Sequence, residues 1–448
     1  MKDSRDFAQL PLGRLIARCA LPAMVSMSAM ALYSVIDGVF VGYFLGAASL
    51  AAINLVFPLF LLFSAVIDMI AAGSSVQIAT RLGAGRQREA SRIFSFSLVA
   101  IFLVSIAVAA VVFAGTRPLL ALMGAEPVVI EQAATYLYIL AAGAPIGMFF
   151  FATDNYLRIC GWQNYSMALN VGVALLNIAL DYLFIVPLGW GIAGAALATT
   201  LGIGLGALLS FVPFLLRRTE LRFVRGTIPW RQFRKLAFNG SSDFFDSTAS
   251  SVMDLVVNTV LLQIGGTLAV ALAVAAFSVV MYLDSVVSML VFGLTSSLQP
   301  ALSYCHGARL RARMHRLQKA IMATAGALSM GAFVLLELAG PWALTFFIAP
   351  DDTALMELSL AALSIFALSY LVKWVDVCAS SYFTALEQPA VSLGLSLLGT
   401  LVAPLVALAI LVPWLGLTGV WWMPLCAGVL SAAASFLSLR KHIFLQCY

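Results

Sequence analysis

Apolar residues along this chain come in unbroken runs rather than in the one-sided spacing of a soluble helix or strand. Runs of about 20 residues or more recur from end to end, each closed by Gly, Pro or a cluster of charge. A helix of that length crosses a ~30 Å hydrocarbon core. The punctuation predicts twelve of them, near 15–44, 50–80, 93–116, 128–156, 165–187, 191–216, 236–265, 269–302, 318–338, 354–383, 391–413 and 418–438. The first run is too long for a secretory signal, holds Asp37 and lacks a small-residue cleavage site, so it reads as a membrane span.

Composition agrees with this pattern. The chain is 62% hydrophobic and 10% charged, against about 25% charged in soluble domains. The fold class expected is an all-α polytopic membrane protein. Of the 25 Lys and Arg residues, 23 fall in the termini or in loops on one side of the twelve-span arrangement. Lys2, Arg5, Arg14 and Arg18 are at the start, Arg81 to Arg92 after the second span, and Arg158 after the fourth. Arg217 to Lys235 follow the sixth span, Arg309 to Lys319 the eighth, and Arg440 and Lys441 the last. Arg117 alone lies opposite, and Lys373 sits within the tenth span. Basic residues concentrate in cytoplasmic loops, so both termini are expected in the cytoplasm of a multi-pass plasma (inner) membrane protein. The net charge of +5 is therefore a topology signal, and dispersed loop cations give no surface for nucleic acid.

Six cysteines are scattered without the spacing of a disulfide framework or zinc site. No phosphate-binding GxxxxGK[ST] loop, HExxH pair or nucleophile elbow occurs. An enzyme, a resident cofactor and direct use of ATP are not expected.

The polar stretch Arg217–Lys235 divides the chain into residues 1–218, an N-terminal six-helix lobe, a cytoplasmic loop 219–235, and a C-terminal six-helix lobe 236–448. Arg81-Leu-Gly-Ala-Gly-Arg pairs with Ser303-Tyr-Cys-His-Gly-Ala-Arg, Asn155-Tyr-Leu-Arg with Ser381-Tyr-Phe-Thr, and Pro187-Leu-Gly-Trp-Gly with Pro413-Trp-Leu-Gly. Separations that stay within about 222–227 residues mark a duplicated six-helix unit, the plan of many secondary transporters, whose substrate path runs between the repeats. The repeat is chemically one-sided. Asn177 and Asp181 fall opposite Ala403 and Ala407, and Asp37 opposite Thr259.

A carboxylate near mid-membrane costs roughly 2.5–3.5 kcal/mol on insertion scales, so each one needs a reason. Asn177 and Asp181 share a helix face by their four-residue spacing, and Thr199 follows on the next span. With Asp37 and Asn155 they offer the oxygen ligands that suit H⁺ or Na⁺, with interhelical hydrogen bonding as the plain alternative. Asp246, Asp254, Asp284 and Asp376 in the second half are candidates for contact with a cationic substrate. Lys373 is expected to neutralise Asp376 at three-residue spacing.

Several motifs resemble the multidrug and toxic compound extrusion (MATE) family. They are Asp37-Gly-Val-Phe-Val-Gly, Leu50-Ala-Ala, Gly83-Ala-Gly, Asn155-Tyr-Leu-Arg-Ile-Cys-Gly, Asn177-Ile-Ala-Leu-Asp181 and Gly191-Ile-Ala-Gly-Ala-Ala-Leu-Ala-Thr199. Gly240-Ser-Ser-Asp-Phe-Phe-Asp246 and Leu298-Gln-Pro-Ala-Leu-Ser-Tyr304 resemble its MepA-like branch. The resemblance implies two six-helix lobes around a central cleft, working as a monomer among membrane lipids and exporting drugs and organic cations in exchange for H⁺ or Na⁺. It implies a coupling site at Asp37, Asn155, Asn177, Asp181 and Thr199. Two positions depart from the family pattern: Trp162 follows Gly161 where Asp or Asn is common, and Asp246 stands where Glu is usual. A flippase for lipid-linked precursors is the alternative, but it calls for a cationic cleft.

Overall fold

The structure is a computed structural model describing residues 4–122, 127–226, 229–264, 267–345, 347–348 and 352–446; Lys2 and Cys447 lie outside them. No strand occurs among the described residues. Among the described residues, twelve long helical stretches follow a single turn at Asp6–Gln9. They are α1 (Leu12–Leu45), α2 (Ala47–Gly83), α3 (Gln87–Leu122), α4 (Pro127–Ile159), α5 (Gln163–Ile185) and α6 (Gly191–Leu215), then α7 (Trp230–Ile264), α8 (Thr267–Gly307), α9 (Arg311–Leu344), α10 (Thr353–Ala367 and Tyr370–Ala385), α11 (Pro389–Leu415) and α12 (Leu417–Gln446).

Ten of these are long and apolar enough to cross a membrane, and the two halves of α10, bent by 50°, make an eleventh span. The remaining one, α7, has 35 residues, ample length at about 1.5 Å each. Its charge, from Arg231 to Asp254, keeps its hydropathy low. Several helices run beyond the apolar runs that announced them. α3 starts at Gln87 and α9 at Arg311, because a helix continues its backbone bonding past the hydrocarbon boundary, where polar side chains cost nothing.

The chain divides into two compact units. The first comprises Met1–Phe244 and Pro300–Arg313, and the second Phe245–Gln299 and Met314–Tyr448. The first therefore takes in more than residues 1–218: it includes the loop after α6 and the adjoining ends of α7 and α8. That loop is pinned to α3, where the amide of Arg222 donates to Ser91 Oγ (3.1 Å) and that of Val224 to Ser95 Oγ (2.9 Å). Glu220 receives the amide and hydroxyl of Ser4. Within this unit α1 packs on α5, α5 on α6, and α4 on α6 and α3.

In the first unit α2 meets the ends of α7 and α8 backbone to backbone. A Cβ on Gly73 would collide with the Leu236 carbonyl, and one on Gly240 with that of Met69. Gly83 and Gly307, equivalent in the two halves, abut Tyr304 and Thr80 in the same manner. Gly240→Ala is expected to lower the melting temperature in detergent by several degrees, since overpacking costs about 1–3 kcal/mol. Gly172→Ala, where a Cβ meets nothing within 4 Å, should leave it unchanged or higher; equal shifts would refute the contact's role.

In the second unit the core gathers Phe277, Phe366, Tyr370, Leu408 and Trp421. Both units interrupt an α-helix with a π turn, Val41–Leu45 in α1 and Leu398–Val402 in α11. Such turns re-aim neighbouring side chains and recur at functional sites. Cys19, Cys160, Cys305, Cys378 and Cys426 carry free thiols. Burial pushes the Cys160 thiol, in the turn between α4 and α5, up to about 12, so it is inert.

Candidate functional site

Four helices of the first unit bring their polar groups together. From α5, the four-residue spacing sets Asn177 and Asp181 on the face that packs on α1 and α6; they are 2% and 0% exposed. From α1 come Tyr33 and Asp37, again one turn apart, directly before the π turn. The amide of Val41 is shared between the carbonyls of Asp37 and Gly38, which is where the helix widens. α6 supplies Thr199, and α4 supplies Tyr136, buried in the apolar cluster of Val41, Val56, Ala133 and Ile185 beneath the site.

Asn177 takes the amide orientation that satisfies both ends. Its nitrogen donates to Asp181 Oδ2 (2.9 Å), and its oxygen accepts from Thr199 Oγ1 (3.3 Å) and the Thr199 amide (3.2 Å). The reverse would set two acceptors face to face. The Tyr136 hydroxyl hydrogen-bonds with Thr199. Small residues allow this approach: Gly202 lies against Asn177, with a Cβ there in van der Waals contact at 3.7 Å, and Gly143 leaves space for Thr200.

Asp37 and Asp181 face each other across the α1–α5 contact, close enough to share a proton. Oδ1 of each is buried without a hydrogen-bond partner. Two ionised carboxylates at that range repel, and a proton or cation held between them removes the repulsion. The two carboxylates give an all-oxygen donor set that suits a monovalent cation or H⁺. No group of three or more His, Cys, Asp or Glu capable of holding a resident metal occurs among the described residues.

Asn155 is not brought into this cluster. Its amide donates to the Phe151 carbonyl of its own helix (3.2 Å), and it lies 19 residues along α4 from Tyr136, roughly 28 Å of helix. Its neighbour Asp154 builds a separate buried network instead. Asp154 pairs with Arg158 (2.7 Å), one helical turn on, and accepts from Ser166 and from Asn170 Nδ2 (2.9 Å) on α5. Arg158 Nε also donates to Ser166 Oγ (3.1 Å), and Gln163 caps the Arg158 carbonyl (3.1 Å). Arg158, expected as a loop cation, is thus buried at 5% exposure.

The second-unit acids form two groups. Thr400, on the α11 π turn, donates to Asp246 Oδ1 (2.6 Å), and Ser435 donates to Asp376 Oδ1 (3.0 Å). A Cβ on the adjacent Gly399 would strike the Asp376 carboxylate, so glycine there admits the acid. Asp246 and Asp376 lie within electrostatic range of each other. Farther along, Lys373 bridges Asp284 (3.2 Å) with its ammonium 5.4 Å from the Phe366 ring centroid, and Asp254 is the next acid to that pair. This corrects the expected Lys373–Asp376 bridge: the α10 bend at Leu368–Ser369 turns Lys373 toward α8, where Asp284 meets it.

An all-helical, multi-span chain with internally repeated halves and acids buried in its spans has the build of a membrane transporter. The MatE family model matches residues 22–183 and 244–409, and the chain belongs to that family, whose members are transporters and not enzymes. It is similar to the multidrug export protein MepA of Staphylococcus aureus strain N315, 24% identical over 443 residues, covering 98% of this chain and 96% of the relative. MepA of Staphylococcus saprophyticus is 23% identical over 425 residues, 93% of this chain and 91% of the relative. Among solved structures, a MATE crystal structure in complex with MaL6 superposes with a TM-score of 0.93 at 25% identity, covering 99% of each chain. The outward-facing conformation of a multidrug resistance MATE family transporter of the MOP superfamily gives 0.92 at 25% identity over 98% of each.

Proposed function

We propose that this protein is a secondary multidrug exporter that expels organic, often cationic, compounds in exchange for H⁺ or Na⁺ by alternating access. The observation that carries the reading is the Asp37–Asp181 pair, two facing acids that each hold a buried oxygen without a partner. An ion entering from outside neutralises the pair and relieves its repulsion. α1 then repacks on α5 and α6, and that shift lowers the affinity for the exported compound. The membrane potential adds roughly 2.3 kcal/mol per 100 mV for each net charge carried inward, and the ion's own concentration gradient drives an exchange of one cation for another. The protein works as a monomer in the plasma (inner) membrane, with both termini in the cytoplasm. Asn177, braced by Thr199, holds Asp181 in place.

Asp246 and Asp376 are proposed to meet the positive end of a substrate, with Asp254 beside the neutralised Asp284–Lys373 pair. Asp246→Asn is expected to weaken binding of organic cations about tenfold and leave neutral compounds unchanged; equal effects on both would remove Asp246 from this role. The flippase alternative needs free cations in the spans, and Lys373 is instead spent on Asp284. The test is efflux of a fluorescent organic cation from reconstituted liposomes, with a proton and a sodium gradient imposed in turn. Export driven by one of them supports the proposal, and export under neither overturns it.

A further inference from the structure

Arg81 near the end of α2 and Arg231, Gln232 and Lys235 in the first turns of α7, with Pro229, line a cleft of about 340 Å³. Three of the five lining residues are cations and none is an acid. Arg231 and Lys235 are exposed, and no ion pair engages either among the described residues. The span pattern sets the cleft at the edge of the hydrocarbon region. Arg81 is two residues from the end of an apolar span, and Leu236, Ala237 and Phe238 follow Lys235 on α7. Trp230 at the mouth is 70% exposed and Phe238, two turns deeper, 50%. Trp230 also packs on Phe233, with ring centroids 5.3 Å apart.

Cations set at headgroup depth beside an exposed Trp form the arrangement that holds an anionic lipid. The phosphate sits among the cations, the indole lies at the interface, and acyl chains descend along the apolar span of α2. A soluble phosphate would have no use for the exposed aromatic residues beneath the cleft.

We propose that the Arg81–Arg231–Lys235 cleft is a binding site for the headgroup of an anionic phospholipid on the basic-loop face. The lipid would steady the start of α7, whose Leu236 carbonyl lies against Gly73 and which carries Asp246 farther along. The site is independent of the ion-coupling reading above.

Binding of phosphatidylglycerol and of phosphatidylcholine to the purified full chain is compared by native mass spectrometry. Phosphatidylglycerol is expected to bind more tightly. Each neutralised cation should weaken it about fivefold, so Lys235→Gln loses about fivefold and Arg81→Gln/Arg231→Gln/Lys235→Gln roughly a hundredfold. Unchanged melting temperatures confirm that these surface changes leave the fold intact. Arg309→Gln/Arg311→Gln/Arg316→Gln, which removes as much charge from the same face, should bind as the parent does. Equal losses in the two triple variants, or equal affinity for the two lipids, overturn the site. Complete displacement of phosphatidylglycerol by millimolar inorganic phosphate would assign the cleft to free phosphate and overturn the lipid.

Discussion

Asp181→Asn is expected to abolish ion-driven export while the purified protein keeps its melting temperature or gains slightly. Asp181 is fully buried, and asparagine matches its shape, so packing against Asn177 and Thr199 survives. What disappears is the charge. A cation about 4 Å from a carboxylate at an effective dielectric near 20 is held by roughly 4 kcal/mol, about a thousandfold in occupancy. Losing the repulsion with Asp37 offsets any small packing cost. Asp37→Asn should give the same phenotype, and the double variant should be no worse than either single one, because the pair acts as one unit. The measurement is gradient-driven efflux in proteoliposomes. Parental rates in either single variant, or additive losses in the double, would contradict this account.

The second large effect concerns folding. Arg158→Ala strands the Asp154 carboxylate in a site 8% exposed, and breaking a buried pair from one side costs about 3–5 kcal/mol. Ser166 and Asn170 still donate to the carboxylate, which keeps the loss from being larger. Thermal unfolding in detergent should show a drop well beyond that of Gly240→Ala. Asp154→Asn/Arg158→Gln, which leaves no net buried charge, should recover much of it. A single variant as stable as the parent would show that the network contributes nothing. Neither residue belongs to the proposed coupling pair, so surviving Arg158→Ala protein should still respond to an ion gradient.

The large-scale plan was readable from the chain because membrane insertion imposes it. Apolar run lengths marked the spans, and the offset between Pro187-Leu-Gly-Trp-Gly and Pro413-Trp-Leu-Gly marked the repeat. Asn177 and Asp181 stood out since an amide and an acid one turn apart have no place in a lipid-facing helix. Tyr33 and Tyr136 did not stand out. A tyrosine in an apolar run looks like an interfacial or core residue until four helices converge on it, although Tyr33 at one turn before Asp37 was a local hint. Asp154 was overshadowed by Asn155 in the same motif, yet its four-residue spacing to Arg158 is the ordinary mark of an intrahelical ion pair. Spacing misled at Lys373, because the bend in α10 is a packing feature of a stretch whose composition, Ala367-Leu-Ser-Tyr370, looks like continuous helix. The π turns at Val41–Leu45 and Leu398–Val402 were silent because an extra residue shifts the phase of a helix, and a run apolar on every side shows no phase to shift.

The central claim is that Asp37 and Asp181 hold the coupling ion that the exported compound displaces. The direct measurement is ion release from purified transporter in detergent. In weak buffer, or after loading with labelled sodium, addition of a transported organic cation should release one H⁺ or Na⁺ per protein. Asp37→Asn/Asp181→Asn should bind the compound and release neither ion. Undiminished release from the double variant would place the coupling ion elsewhere in the protein.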